Sequence, residues 1–258
     1  KYAMKLAMCH CHDLQIDIPL FSDISSTHNH IVGSKTFYKT VKGLYNLALF
    51  HQRIGIRIVI HKQTYKRLVQ LADFIYHNFP FVSQIAFMEM ETIGMAEKNI
   101  DELWIDPYDY NKEIKEAVLL LNDRGMKTLI YNAQLCVLDK DIRAFVVQSI
   151  SDWKDIYLKE CDGCGLKGKC GGFFASNLQH HSKHIKPILD YQPMPEPCSN
   201  SISIFLKKFF KEKSGSGKIV YDIPCGYGRH SIWLSQRGYK VYGYDIDPNA
   251  IDRLHSVI

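Results

Sequence analysis

Between residues 14 and 131 the apolar positions switch repeatedly between two spacings. Short runs, Leu14–Phe21 (LQIDIPLF), Gly55–His61 (GIRIVIH) and Ile85–Glu91 (IAFMEME), are separated by longer stretches near Thr36–His51 and Tyr65–Asn78 in which apolar residues recur every three or four positions. The first spacing is that of strands, whose side chains point alternately to two faces; the second is that of helices with one apolar face. Strands at intervals of roughly 30–40 residues with a helix between them are βα crossover units, and such units join parallel strands. A third helix fits Asn111–Arg124, with Gly125 as its stop, and a fourth strand fits Lys127–Tyr131. A further helix is expected from Ile142 to about Tyr157, leading directly into cysteines at 161–170. In the third strand Glu89 and Glu91 alternate with Met88 and Met90, so one strand face is expected to meet a polar cavity or solvent.

The pattern breaks at Gln192–Ser203, where QPMPEPCSNSIS carries three prolines, a composition that marks a boundary. Beyond it come a helix (Ile204–Lys213), a Ser/Gly turn at 214–217, the strand KIVYDI, a glycine-bearing turn, a helix (Ser231–Arg237) and the strand Tyr239–Tyr244, which ends at Asp245. The expected organisation is a sheet domain at 1–126, a small cysteine-bearing domain at 127–191, a linker at 192–203 and a second α/β segment at 204–258.

Composition narrows the function classes. The chain of 258 residues is 46% hydrophobic and carries a formal charge of +5, enough apolar material for real cores and too mild a charge for a nucleic-acid footprint. It shows no signal peptide and no apolar run that spans a bilayer, so a cytosolic protein without a membrane partner is expected. It begins with Lys1, which reads as a missing N-terminus. Eight cysteines in a chain without a secretory signal point to metal ligands or buried thiols, because the cytosol keeps thiols reduced.

Spacing separates them. Cys161-Asp-Gly-Cys164 followed by Cys170-Gly171-Gly172 puts three thiols in a glycine-rich loop, and Cys136, at the end of the fourth strand, is the natural fourth ligand. Glycines let the backbone wrap a metal centre and aim its amides at sulfur. Four thiolates suit either a cubane iron–sulfur cluster or tetrahedral zinc. Cys9 and Cys11 read as partly buried thiols, Cys198 as a reserve ligand, and His180, His181 and His184 as a hydrated helix face.

The segments IPLFSD, HNHIVGSKTFYKTVKGLYNL, IRIVIHKQT, LWIDPYDY, IYNAQLCVL and SISDWKDIY…CDGC…CGGFFAS resemble the His-Xaa-Ser system radical SAM maturases, relatives of the SPASM and twitch enzymes, over about residues 13–190. The resemblance implies a partial radical SAM (β/α) barrel, represented by its last three βα units, followed by a twitch-like auxiliary domain. It implies S-adenosylmethionine (SAM) as cofactor and a ribosomally made peptide or small protein as substrate. A flavodoxin or ferredoxin is the implied electron donor. Cys136, Cys161, Cys164 and Cys170 would then hold an auxiliary 4Fe–4S cluster. The family's C-x3-C-x2-C loop and Gly-Gly-Glu motif are missing, which places the initiating cluster upstream of Lys1. Ser22, Asp23, Arg57 and Met88 match positions that approach the SAM ribose, carboxylate and adenine in the family, although relatives read Ser-x-Asp-Gly where this chain has Ser22-Asp23.

In the last segment, Asp222-Ile-Pro-Cys-Gly226-Tyr-Gly228 joins a strand to a helix, and a second strand ends in Asp245. A strand, Gly-x-Gly turn, helix, strand and acid form the half-site by which Rossmann-like folds grip a nucleoside. The phrase DIPCGYGRHSIWLSQRGYKVYGYDID is similar to the opening of class I SAM-dependent methyltransferases, which implies SAM contacts at Asp222, Gly226, Gly228 and Asp245. Two alternatives stand beside the radical SAM reading: methyl transfer as the main activity, and a zinc-stabilised module that binds a peptide.

Overall fold

The structure, a computed structural model, describes residues 2–8, 14–148, 156–189, 210, 215, 218–222 and 229–244. The chain divides into two compact units, Lys1–Pro197 and Cys198–Ile258. In the first, α1 (Tyr2–Met8) and β1 (Gln15–Pro19) are followed by α2 (Ser25–Val32), α3 (Phe37–Leu49), β2 (Arg53–Ile60), α4 (Leu68–Asn78) and β3 (Gln84–Glu89). The short α5 (Met95–Lys98) and α6 (Ile100–Leu103) lead to α7 (Asn111–Asp123), β4 (Thr128–Tyr131) and β5 (Val146–Val147).

β2 explains how this sheet is built. Ile54, Ile56 and Ile58 are fully buried and Ile60 nearly so; each such side chain contributes roughly 1.5–3 kcal/mol of burial. All five strands are parallel and lie in the order of the chain, β1-β2-β3-β4-β5. Right-handed crossovers that always step in one direction deposit their helices on a single face. Accordingly Leu44 and Leu47 of α3, Leu71 and Ile75 of α4, and Ile114, Val118 and Leu121 of α7 share one core with the β2 isoleucines, Ile85, Phe87 and Ile130. On the opposite parity Asp17, Arg57, Val59, Met88, Leu129 and Tyr131 stay half-buried or exposed, while the small Gly55 and Ala86 are buried. A doubly wound sheet would bury both faces with helices.

The elements follow the apolar spacing closely, and Gly125 (φ 77°) closes α7 in the left-handed conformation that glycine adopts without strain. One expectation is overturned. The helix expected from Ile142 to about Tyr157 does not form: Lys140–Phe145 is a 3-10 turn capped by Asp139, whose carboxylate accepts the Asp141 amide at 2.9 Å. The chain then extends, pairing Val146 and Val147 with Ile130 and Tyr131 on the edge of β4. Ile156 bridges antiparallel to Phe173. The open edge of β4 and two β-branched valines outweigh the helical spacing; residues 149–155 lie outside the described residues. The acid and the methionine of the third strand take opposite faces, as their alternation requires. Glu89 shares the face of Ile85 and Phe87, toward the helices, while Met88 stands on the open face beside Val59.

In the second unit β6 (Ile219–Asp222) and β7 (Lys240–Gly243) are parallel, with α8 (Arg229–Ser235) between them in sequence. This is one βαβ crossover. Of the helix expected at Ile204–Lys213 only Phe210 is described, its ring edge-on to Tyr239 at 5.2 Å.

Candidate functional site

Just after β4, at Asn132, a positive φ of 64° turns the chain, and Gln134, Leu135 and Cys136 follow. The loop carrying the other three cysteines packs directly on this exit. Gly171 makes that possible: a Cβ there would stand 3.0 Å from the Ala133 carbonyl oxygen and 3.3 Å from its nitrogen. The loop is pinned by Tyr157 and Gln148, which donate to the Cys170 carbonyl at 3.0 and 3.1 Å. Gly163 turns the CDGC segment with φ 78°, and Leu166, Phe173 and Phe174 are buried beneath it.

All four expected cysteines, Cys136, Cys161, Cys164 and Cys170, line one small pocket. Leu135, Leu166, Phe173 and Ile188 supply apolar wall, and Lys167 and Lys186 stand at its margin. Backbone amides point at the sulfurs: Ile188 donates to Cys164 Sγ at 3.4 Å, Lys186 to Cys136, and Leu135 and Gly172 to Cys170. Burial pushes the Cys136 thiol up and the Cys170 thiol up to about 11, and Cys161 raises both further. Among the described residues no group of three or more His, Cys, Asp or Glu side chains is set to hold a single metal ion. The thiols ring a cavity.

This cysteine module is tied to the C-terminal end of the sheet. Asn177 accepts from the Thr92 amide at 2.9 Å and donates to the Met90 carbonyl at 3.0 Å, just past β3. Asp106 accepts the Lys183 amide at 3.1 Å, and Tyr108 stacks on His184 at 3.7 Å. His180 and His184 are exposed and His181 half-buried, in line with a hydrated surface, but they sit on an irregular loop, which corrects the expected helix. The reason is the Asn177 anchor, which bends the chain before a helix begins.

Between module and sheet lies a residue that sequence reasoning did not single out as a site. Glu89 is buried; its Oε2 accepts from Gln134 at 3.2 Å, the Tyr110 hydroxyl lies against the carboxyl, and Oε1 has no partner among the described residues. Burial, aided by the charge of Asp106, raises its pKa to about 8. At the end of β2 His61 is likewise buried with Nε2 unpartnered, and desolvation lowers its pKa to about 4. Gln134 also donates to the Gly172 carbonyl at 2.9 Å, so one side chain touches both Glu89 and the cysteine loop. The only advance signal was a charged residue at the C-terminal end of a strand, where parallel sheets place their sites.

The expected SAM contacts are more dispersed. Ser22 is buried and accepts the Ile24 amide at 3.1 Å, fixing the entry to α2. Asp23 is engaged by Arg67, whose Nε donates at 3.0 Å. Arg57 forms an ion pair with Asp17 across β1 and β2 at 2.7 Å. Met88 shares the open sheet face with Arg57. In the second unit Asp222 accepts from Ser231 Oγ at 2.7 Å, joining the end of β6 to α8. Gly226, Gly228 and Asp245, with Cys9, Cys11 and Cys198, lie outside the described residues.

No model of a known protein family matches the chain, and no curated protein matches it significantly. No helix among the described residues is long and apolar enough to cross a membrane.

Proposed function

We propose that the first unit is the sheet and auxiliary domain of a metal–sulfur enzyme, and more particularly a radical SAM maturase of ribosomally made peptides. The observation that carries the reading is that thiols from two separate stretches of chain, Cys136 after β4 and Cys161, Cys164 and Cys170 in one loop, line one apolar pocket while backbone amides aim at the sulfurs of Cys136, Cys164 and Cys170. The donor set fits a 4Fe–4S centre: four cysteines, water-excluding walls, two lysines to offset negative charge, and N–H···S bonds of the kind that tune cluster potential. When bound, such a centre supplies one-electron chemistry. The chain's own part is to hold it through the four sulfurs, to keep water out with Leu135, Leu166 and Ile188, and to fix it to the strand ends through Gln134 and Asn177. The uncovered face of a single-wound sheet, with Arg57 and Met88 on it and Ser22 and Asp23 just beyond β1, is where this reading places SAM.

Iron and acid-labile sulfide measured on anaerobically purified protein test it. The expected result is about four of each per chain, with iron falling in Cys170→Ser; zinc without sulfide overturns the proposal in favour of a zinc-stabilised peptide-binding module. A second reading, methyl transfer, draws support from the parallel β6 and β7 with Asp222 held against α8. It makes the second unit the opening of a Rossmann-like methyltransferase, and retention of labelled SAM by the four-cysteine serine variant is its expected sign.

A further inference from the structure

Two cavities meet at the C-terminal end of β3. One is nearly closed, with space for a single water-sized group, and Glu89 lines it together with Trp104, Tyr110, Gln134, Phe173 and His180. The other is an open groove bordered by Lys62, Asp101, Asp106 and Asp109 that shares Trp104, Ile105 and His180 with the first. The groove is thus adjacent to the chamber that Glu89 lines, and Glu89 Oε1 is buried without a partner among the described residues.

The chemistry of the path is that of a cation site. Three acids border the groove against one lysine, and Lys62 Nζ is already turned to the Asp101 carbonyl at 3.2 Å. Electron-rich rings of Trp104, Tyr110 and Phe173 stand beside the buried carboxyl, and such rings attract cations that have left water. Asp106 is held ionised by amides from Tyr108 and Lys183 and by Ser182, so its negative charge persists near Glu89. A buried carboxyl oxygen without a donor is costly, and a donor that reaches it recovers that cost. The chamber is too small for a guanidinium, whereas a primary ammonium is the size of water and brings three donors.

We infer that this groove and chamber bind the side-chain ammonium of a lysine, carried on a peptide lying along the groove. The site stands on the geometry of the first unit and does not require the iron–sulfur reading. Because burial holds the Glu89 proton up to about pH 8, an arriving ammonium displaces that proton. The other titratable groups facing it are Asp106, Tyr110, His180 and His181.

Isothermal titration of the full chain with Nα-acetyl-lysine N-methylamide at pH 7, in phosphate and in MOPS, reads both binding and proton exchange. The expected result is saturable binding with release approaching one proton per ligand and no binding of the Nε-acetylated compound. Glu89→Gln is expected to weaken binding about tenfold or more and to abolish proton release. Asp109→Asn, on the exposed rim, is expected to weaken it about two- to threefold while keeping the release. Equal binding by wild type and Glu89→Gln, equal binding of the acetylated compound, or no saturable heat with wild type overturns the inference; the last outcome assigns Oε1 to an ordered water. Iron content of the same samples is scored separately, so failure of the amine site is distinct from failure of the cluster.

Discussion

Glu89 takes the position at which the alternation of β3 calls for another Ile or Phe. Its carboxyl is paid for only in part, by Gln134 and Tyr110, and the folded state keeps it protonated up to about pH 8. A folded pKa above the ordinary 4.5 means the native state binds the extra proton. Stability from this residue is therefore complete below about pH 4.5 and is lost as pH rises toward 8, at up to about 1.4 kcal/mol per pH unit. His61, lowered to about 4, acts in the opposite direction between 4 and 6.5, where the unfolded chain takes up its proton. Comparison with Glu89→Gln isolates the carboxyl. Urea unfolding at pH 5.5, 6.5 and 7.5 should show the stability difference moving steadily in favour of the glutamine variant; a pH-independent difference would sink this account.

At the scale of elements, the cysteine loop meets the exit of β4 through a close backbone approach at Gly171 and through the Gln134 side chain. Gly171→Ala pushes a methyl group into the Ala133 carbonyl, which belongs to the main chain and has little room to yield. Such overpacking costs about 1–3 kcal/mol, and here it moves Cys170 away from Cys136. The expected outcome is a lower melting temperature together with loss of bound iron, measured on the same preparation; full iron content in the variant counts against a pocket shared by both segments. The valines of β5 teach a related lesson. Their spacing is compatible with a helix, yet an unpaired strand edge next to them offers ladder hydrogen bonds that a helix begun at Ile142 would forgo.

For the whole molecule, the division at Pro197 separates two bodies with their own internal contacts. Units of this kind melt independently unless a large interface couples them. Calorimetry of the full chain should resolve two transitions, with iron removal lowering only the one assigned to residues 1–197. A single transition that shifts as a whole would show the units to be thermodynamically one.

Local spacing was enough to read the βα order of the first unit, because period-2 and period-3.6 burial leave their marks in neighbouring residues. It was enough as well to name Cys136, Cys161, Cys164 and Cys170 as a group, and these four share one pocket. Tertiary structure alone decided which sheet face the helices cover, that Asp17 and Arg57 pair across two strands, and that Glu89 is sealed beneath residues nearly a hundred positions away. Those outcomes depend on strand order, on the Gly171 approach and on the Asn177 anchor, and each is a contact between distant segments that no local pattern records.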